Sequence, residues 1–480
     1  MLFNSFSFAV FLPVVFILYW IIPHKFRWCF LLIASYYFYM SWNPKYAILI
    51  LGTTVISYTA AIFIEKYDNK KVKRLFLSSV IFVGLGILFF FKYYNFFLDS
   101  FGSILEMFSL QWNYAALNLL LPVGISFYTF QTMSYVIDVY KGKASAEKHF
   151  GYYATFISFF PQLVAGPIER TNSLLPQIRK EQKFSYAKAT DGLKLMMWGY
   201  YKKIVIADTL SRYVDQVYNN LYEYKGLSLV IIVFFFSIQI YCDFSGYSDI
   251  AIGTAKLLGI DLMKNFDVPY MSTSIKEFWK RWHISLSTWF RDYVYIPLGG
   301  NRCSQMKQYQ NLMLTFLASG IWHGANWTYV VWGGIHGVAQ ILESIFERPI
   351  RRIKATGIGK ILSWAIVFIF CNIAWIFFRA PSISDAVYVL TNLFYGIQNP
   401  VYYVMNGFNA LGISRGVLMY ISLLILVLVL VDIMAYRYDI LLQLRKRNIF
   451  VRWCCYIVIA LLIVFFSQKG VATEFVYFQF

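Results

Sequence analysis

Charge is scarce in this 480-residue chain, and histidine is scarcer. Only 14% of residues are Asp, Glu, Lys or Arg, against about 25% in an ordinary soluble domain. With 59% hydrophobic residues, 20% aromatics and a mean hydropathy of +0.55, a free-standing soluble globule is excluded. The six cysteines (29, 242, 303, 371, 454 and 455) contain no Cys-x-x-Cys pair. They read as small buried hydrophobes rather than as a disulfide or metal framework. No His-x-x-x-His or equivalent pair supports a metal site, and none is expected. The N-terminus lacks a basic segment and a small-residue cleavage site, so Ser7 to Ile22 reads as a retained first span, not a signal peptide. There is no internal repeat and no matched pair of broken helices of the kind that transporters carry.

What is present is a series of long apolar runs. Several exceed the roughly 18 residues that mark a membrane helix. Spans are expected at about 5–22, 27–42, 46–64, 75–93, 118–139, 150–165, 190–207, 227–247, 311–345, 361–379, 417–435 and 453–468. The runs are continuous rather than alternating, which argues against a β-barrel. The fold class is all-α and polytopic. A net charge of +19 does not indicate nucleic acid, because the Lys and Arg sit in short loops between spans, where topology places them. Basic loops 66–74, 348–360 and 437–452 are expected to be cytoplasmic, which puts both termini outside. The middle, 140–310, counts badly as simple spans. Half-length apolar runs meet breakers such as Phe160-Pro161 and Ala165-Gly166-Pro167. Re-entrant or interfacial helices are tolerated at membrane depth only where protein buries them or they line a cavity, so a central cavity is expected there.

Two Trp-His pairs stand forty residues apart in this apolar background, Trp282-His283 and Trp322-His323, and only five histidines exist in all. A titratable group is costly in a membrane, and imidazole is the usual general base near pH 7. Ser274 to Phe290 reads as one helix opened by a Ser274/Glu277 capping box. Its apolar face carries Phe278, Trp279, Trp282 and Leu286, with Lys276, Lys280, Arg281 and Arg291 on the other. This is the pattern of a helix lying at an interface. His283 points to the apolar side, where a hydrogen-bonded core histidine is the plain alternative. His323 lies among small residues that allow another chain or a thin substrate close approach. His336 falls on nearly the opposite face if the helix is unbroken, and reads as packing. His24 and His149 sit in loops and need no special role.

Asp243 and Asp249 end an apolar run. They are functional suspects, or they touch water or cap the next helix. Lys202, Lys203, Arg170 and the basic face of the 274–290 helix either hold the phosphates of a cofactor or set topology and bind lipid. The closing segment, Glu474 to Phe480, is aromatic where a terminus is ordinarily polar. It is either an interfacial belt or an insert that presents the Tyr477 hydroxyl to the cavity.

Six stretches together resemble the membrane-bound O-acyltransferase (MBOAT) family. They are Pro122-Val-Gly-Ile-Ser-Phe-Tyr-Thr-Phe-Gln131, Phe160-Pro-Gln-Leu-Val-Ala-Gly-Pro-Ile168, 241–253, 278–292, Ile296-Pro-Leu-Gly-Gly-Asn301 and Trp322-His-Gly-Ala-Asn-Trp327. The resemblance is to the bacterial branch that acylates alginate, peptidoglycan or teichoic acid, and it is closer to the acetylating members than to the D-alanylating ones. It implies a ring of about 11–13 transmembrane or re-entrant helices around a central cavity. It also implies one domain over 1–480, with N-terminal spans to 117, a catalytic core over 118–345 and C-terminal spans with an outer aromatic tail from 346. His323 falls on the family's essential histidine and His283 on its second site. Tyr477 falls in a Phe-x-Tyr-type terminal motif, as an acyl relay. The implied activity takes an acetyl group from cytoplasmic acetyl-CoA, a co-substrate and not a resident cofactor; on charge, Lys280, Arg281 and Arg291 of the basic face are the candidate anchors for its phosphates. The implied partners are membrane lipid, an extracytoplasmic SGNH-type acetyltransferase and a polysaccharide acceptor, with the chain in the bacterial inner membrane. Rival readings are a transporter or flippase without covalent chemistry, D-alanyl transfer to teichoic acid, a glycosyltransferase using Asp243 or Asp249, and a eukaryotic-like lipid or protein acyltransferase.

Overall fold

The computed structural model describes residues 1–110, 112–117, 119–467, 475 and 476. Helix accounts for 77% of the chain, and no strand occurs among the described residues. Among the described residues, six helices are long and apolar enough to cross a membrane: Pro44–Lys66, Lys70–Glu106, Leu227–Leu257, Gly357–Arg379, Arg415–Arg437 and Ile449–Phe466. The residues fall into two compact units, Met1–Leu193 with Ala251–Met263, and Lys194–Ile250 with Lys264–Phe480.

The first unit holds α1 (Phe6–Ile21), α2 (His24–Met40), α3 (Ala47–Lys66), α4 (Lys70–Leu88), α5 (Tyr94–Glu106), α6 (Ile125–Tyr140), α7 (Phe150–Ser158), α8 (Phe160–Leu163), α9 (Thr171–Arg179) and the start of α10 (Tyr186–Tyr200). Its centre is aromatic. Phe3, Phe8, Phe11, Phe38 and Phe160 lie with ring centroids 4.8–6.2 Å apart. The expected span at 150–165 is instead two short helices, α7 and α8, broken at Phe159, where ψ is 108°. The break frees the Phe156 carbonyl, which accepts from the side-chain amides of both Gln131 (2.9 Å) and Gln162 (2.8 Å). Gln131, Gln162 and the residues around the break are buried in protein, as broken backbone in an apolar setting requires.

The second unit holds the rest of α10, a π-turn over Tyr201–Ala207, α11 (Asp208–Asn219), most of α12 (Leu227–Leu257), α13 (Ile275–Arg281), α14 (Ile284–Phe290), α15 (Gln305–His323), α16 (Trp327–Ile345), α17 (Glu347–Lys354), α18 (Gly357–Arg379), α19 (Ile383–Asn392), α20 (Pro400–Ala410), α21 (Arg415–Arg437), α22 (Ile440–Arg445) and α23 (Ile449–Phe466). Three elements differ from the sequence reading. The run at 227–247 continues to Leu257, because the carboxylates that appeared to end it find cationic partners in the protein. The single helix expected over 274–290 is two helices meeting at His283. The single span expected over 311–345 is an αα-hairpin, α15 and α16, turned within three residues. There Asn326 caps α16 by accepting the Thr328 N–H at 3.0 Å, and its own amide donates to the Pro381 carbonyl at 2.7 Å.

Glycines set how closely the hairpin arms approach. A Cβ at Gly320 would stand 2.3 Å from the Tyr329 carbonyl oxygen, and one at Gly333 would stand 2.4 Å from that of Phe316. Neither obstacle can rotate away, because both are backbone. At Gly334 the nearest atom to an added Cβ is a Leu317 methyl at 3.7 Å. Alanine ordinarily favours a helix over glycine by ~1 kcal/mol, so the collision decides the sign. Gly333→Ala is expected to destabilise the protein by about 1–3 kcal/mol, read as a lower unfolding temperature in detergent. Gly334→Ala is expected to leave that temperature unchanged or raise it.

Candidate active site

His283 is built into a broken helix. Its backbone is left-handed, φ 43° and ψ 56°, a conformation that costs a non-glycine residue energy and persists only where neighbours enforce it. Here the irregular segment 265–267 enforces it. The Asp267 N–H bonds the Arg281 carbonyl at 2.9 Å, and the Asn265 carbonyl receives the Ile284 N–H at 2.9 Å. The Asn265 side-chain oxygen accepts from the Ser285 hydroxyl at 2.9 Å, while its amide donates to Ser248 of α12 at 3.2 Å. Asn265 is fully buried. It fixes the break and ties it to α12, and no motif in the sequence singles it out. The imidazole of His283 packs edge-on to Phe244 (4.6 Å between centroids) and is fully buried. It lies outside the six long apolar helices. Burial lowers its pKa to about 3, so it is neutral at pH 7.

His323 ends α15. Its ring centroid lies 4.9 Å from Trp322, 4.9 Å from Trp332 and 5.3 Å from Phe378. Trp322 in turn lies 6.0 Å from His283. The two Trp-His pairs, forty residues apart in sequence, therefore meet across one indole. The hairpin also changes the position of His336, which the unbroken-helix reading set on the far face. Its ring centroid lies 5.0 Å from that of Trp332, which His323 also contacts. There its Nδ1 accepts from the Trp279 indole N–H at 3.2 Å, the geometry of a packed, hydrogen-bonded histidine.

The charges on α12 are paired. Lys202 Nζ lies 2.7 Å from Asp249 Oδ2 and donates to the Ser245 hydroxyl at 2.8 Å. Lys203 Nζ lies 2.5 Å from Asp243 Oδ1 and 2.9 Å from Asp208 Oδ1. Two consecutive lysines can both be buried because the π-turn supplies an extra residue at that point of the helix. The close approach needs Gly246, where a Cβ would stand 2.7 Å from the Gly199 carbonyl oxygen. These lysines serve neither as topology signals in a loop nor as phosphate ligands at a surface. Asp243 also accepts the Val476 N–H at 2.7 Å. Phe475, 1% exposed, packs against Phe244 and Tyr247 at 5.3 and 5.1 Å. Tyr477 lies outside the described residues. Arg170 is in the other unit, at the start of α9.

A cavity of about 890 Å³ opens beside the histidine cluster, lined from α13 through α17. Neither imidazole of the cluster lines it. Ser319, one helical turn before His323, does, and so do Leu286 and Ser287, one turn after His283. Five cationic side chains line it (Lys276, Lys280, Arg291, Arg351 and Lys354) against two carboxylates, Glu343 and Glu347. Of the cations grouped from sequence, Lys280 and Arg291 are therefore together in the cavity. Arg281 is not. It is held by Glu277 (3.0 Å) and Asp267 (3.1 Å) and stacks over Tyr436, bracing the segment that breaks the helix. Among the described residues, no group of three or more His, Cys, Asp or Glu could hold a metal ion.

By sequence the chain is similar to known proteins. The family model for membrane-bound O-acyltransferases matches residues 143–382, which contain both Trp-His pairs, Asp243 and every lining residue of the cavity. The chain is 37% identical to a peptidoglycan O-acetyltransferase of Helicobacter pylori over 82% of its own length and 80% of the relative's. It is 41% identical to a probable alginate O-acetylase of Pseudomonas aeruginosa, over 80% and 72%. A teichoic acid D-alanyltransferase of Bacillus subtilis is more distant, 30% identical over 49% of this chain and 62% of the relative. That order agrees with the closeness to the acetylating branch read from the motifs. The chain belongs to the membrane-bound O-acyltransferase family, as a multi-spanning membrane O-acyltransferase.

Proposed function

We propose that the protein carries an acetyl group from acetyl-CoA on the cytoplasmic side of the bacterial inner membrane to a hydroxyl reached from the outer side, for O-acetylation of a cell-wall or secreted polysaccharide. The observation that carries this reading is the meeting of His283, Trp322 and His323 one helical turn from a cation-lined cavity. The basic segment 347–354 lines that cavity, and the charge bias of the loops assigns this segment to the cytoplasm, leaving both termini outside. Lys280 and Arg291 are suited to the phosphates of the donor, and the apolar wall of Trp279, Ile284 and Phe316 to its pantetheine arm.

In the reaction, the acceptor hydroxyl oxygen attacks the thioester carbonyl carbon. A hydroxyl is a weak nucleophile at pH 7, and His323 takes its proton as the C–O bond forms. The C–S bond then breaks, and the proton passes to the departing thiolate. His283, kept neutral by burial, orients the donor or gives an N–H to the developing oxyanion. The acceptor is the Tyr477 hydroxyl, as a relay, or a serine of an extracytoplasmic SGNH-type partner that places the group on the polymer. Support for the relay comes from Phe475 and Val476, both buried: Phe475 packs against Phe244, a ring that also contacts His283. The wide apolar surface of α18, α21 and α23 is suited to membrane lipid.

His323→Ala is expected to lower transfer from labelled acetyl-CoA by at least about a hundredfold, the usual contribution of a general base, at unchanged protein level in the membrane. Retained transfer contradicts its role. Reversing charge with Lys280→Glu and Arg291→Glu is expected to raise the KM for acetyl-CoA by about tenfold, or ~1.4 kcal/mol, with kcat little changed. Arg281→Gln should instead lower stability without a selective change in that KM. Tyr477→Phe is expected to abolish covalent labelling of the enzyme while donor binding persists; label retained on the variant contradicts the relay.

A further inference from the structure

Asp243 does more than neutralise a lysine. It sits in the middle of α12, 1% exposed, where an ionised carboxylate must have its lone pairs met by donors. Lys203 meets Oδ1. The donor to Oδ2 is the backbone N–H of Val476, 233 residues later in the chain. A charge-assisted bond of this kind is stronger than one between neutral groups, and it lies where water does not compete. The residue before Val476 provides a second point of attachment. The ring of Phe475 packs against Phe244 and Tyr247, which follow Asp243 on α12 by one residue and by one turn. Phe244 also forms the wall against which His283 packs.

We propose that the Lys203–Asp243 pair is the receptor for the segment that follows α23, and that Asp243 is a positioning residue for the side chain of residue 477. Recognition of a backbone N–H makes the receptor intolerant of proline at 476. Phe475 supplies the side-chain specificity by filling the space between Phe244 and Tyr247. The docking stands on this geometry alone, and its consequence for transfer rests on the Tyr477 reading above.

The test separates the N–H from everything else at the site. Val476→Pro removes the donor and leaves Asp243, Lys203 and α12 as they are. Val476→Ala keeps the donor. Chymotrypsin cleavage after Tyr477 requires residues 475 and 476 to leave their sites and enter the protease. In the purified full chain, intact mass is expected to show wild type and Val476→Ala resistant, with Val476→Pro and Asp243→Asn cut at least tenfold faster. Acetyl transfer to the outer acceptor should fall by at least tenfold in Val476→Pro, with the KM for acetyl-CoA unchanged. If Val476→Pro resists cleavage as wild type does, the receptor assignment is overturned even where Tyr477→Phe is inactive. If Val476→Pro is cut but transfers acetyl normally, the positioning role is overturned, and normal transfer by Tyr477→Phe traces that failure to the relay reading while the docking stands. Because Asp243→Asn leaves Lys203 paired with Asp208, its effect reads the loss of the charged acceptor rather than an orphaned cation.

Discussion

Inside an apolar body, a backbone group or charge released from its regular partner must find another within the protein, and the layout of the second unit follows from how that demand is met. At His283 the helix stops because segment 265–267 supplies hydrogen bonds to the freed groups on both sides, with the Asn265 side chain as the brace. At the turn after His323, Asn326 does the same for the start of α16. In α12 the problem is charge rather than backbone, and two lysines on a π-turn solve it. The brace at Asn265 and the lysine pairs on α12 are long-range contacts that fix an imidazole and two carboxylates in place, whereas the Asn326 cap is local. A neutral histidine in a set position is what proton transfer at a thioester requires, since poor placement costs more rate than weak binding does.

The two sides of the site are built differently, as their proposed substrates differ. On one side is an open cavity lined by cations such as Lys280, suited to an anionic co-substrate that must enter and leave. On the other is a buried attachment in which Phe475 packs between aromatic rings and the Val476 N–H bonds Asp243. Trp322 stands between the two histidines, in contact with both rings.

The parts legible in sequence were those set by local rules. Ends of simple spans agree within a few residues, as for the expected 5–22 against Phe6–Ile21 and 361–379 against Gly357–Arg379. The two Trp-His pairs and the basic character of the 276–291 face were visible from composition and spacing. What escaped was set by residues distant in sequence. Nothing near Asp243 announces that Lys203, forty positions earlier, will neutralise it and let α12 run on. Nothing near Trp282 announces that Asn265 will hold a break there, because a lone asparagine in a loop is unremarkable. The hairpin at 324–326 was the nearest to legible. Gly324-Ala325-Asn326 combines a flexible residue with a good helix cap, but the flanking apolar runs overrode that signal when read as one span. Arg281 looked equivalent to Lys280 and Arg291 because helical spacing alone cannot tell an ion-paired brace from a cavity wall.

The central claim is that His323 acts on a thioester delivered through the cation-lined cavity. The most direct test is a cryo-EM structure with a non-transferable acetyl-CoA analogue. The result consistent with it has the phosphates beside Lys280 and Arg291 and the acyl carbonyl next to His323, leaving room for a hydroxyl oxygen about 3–3.5 Å from the carbonyl carbon and within hydrogen-bond reach of the imidazole. An analogue bound in the cavity with its acyl group directed away from His323, or bound elsewhere altogether, would contradict it.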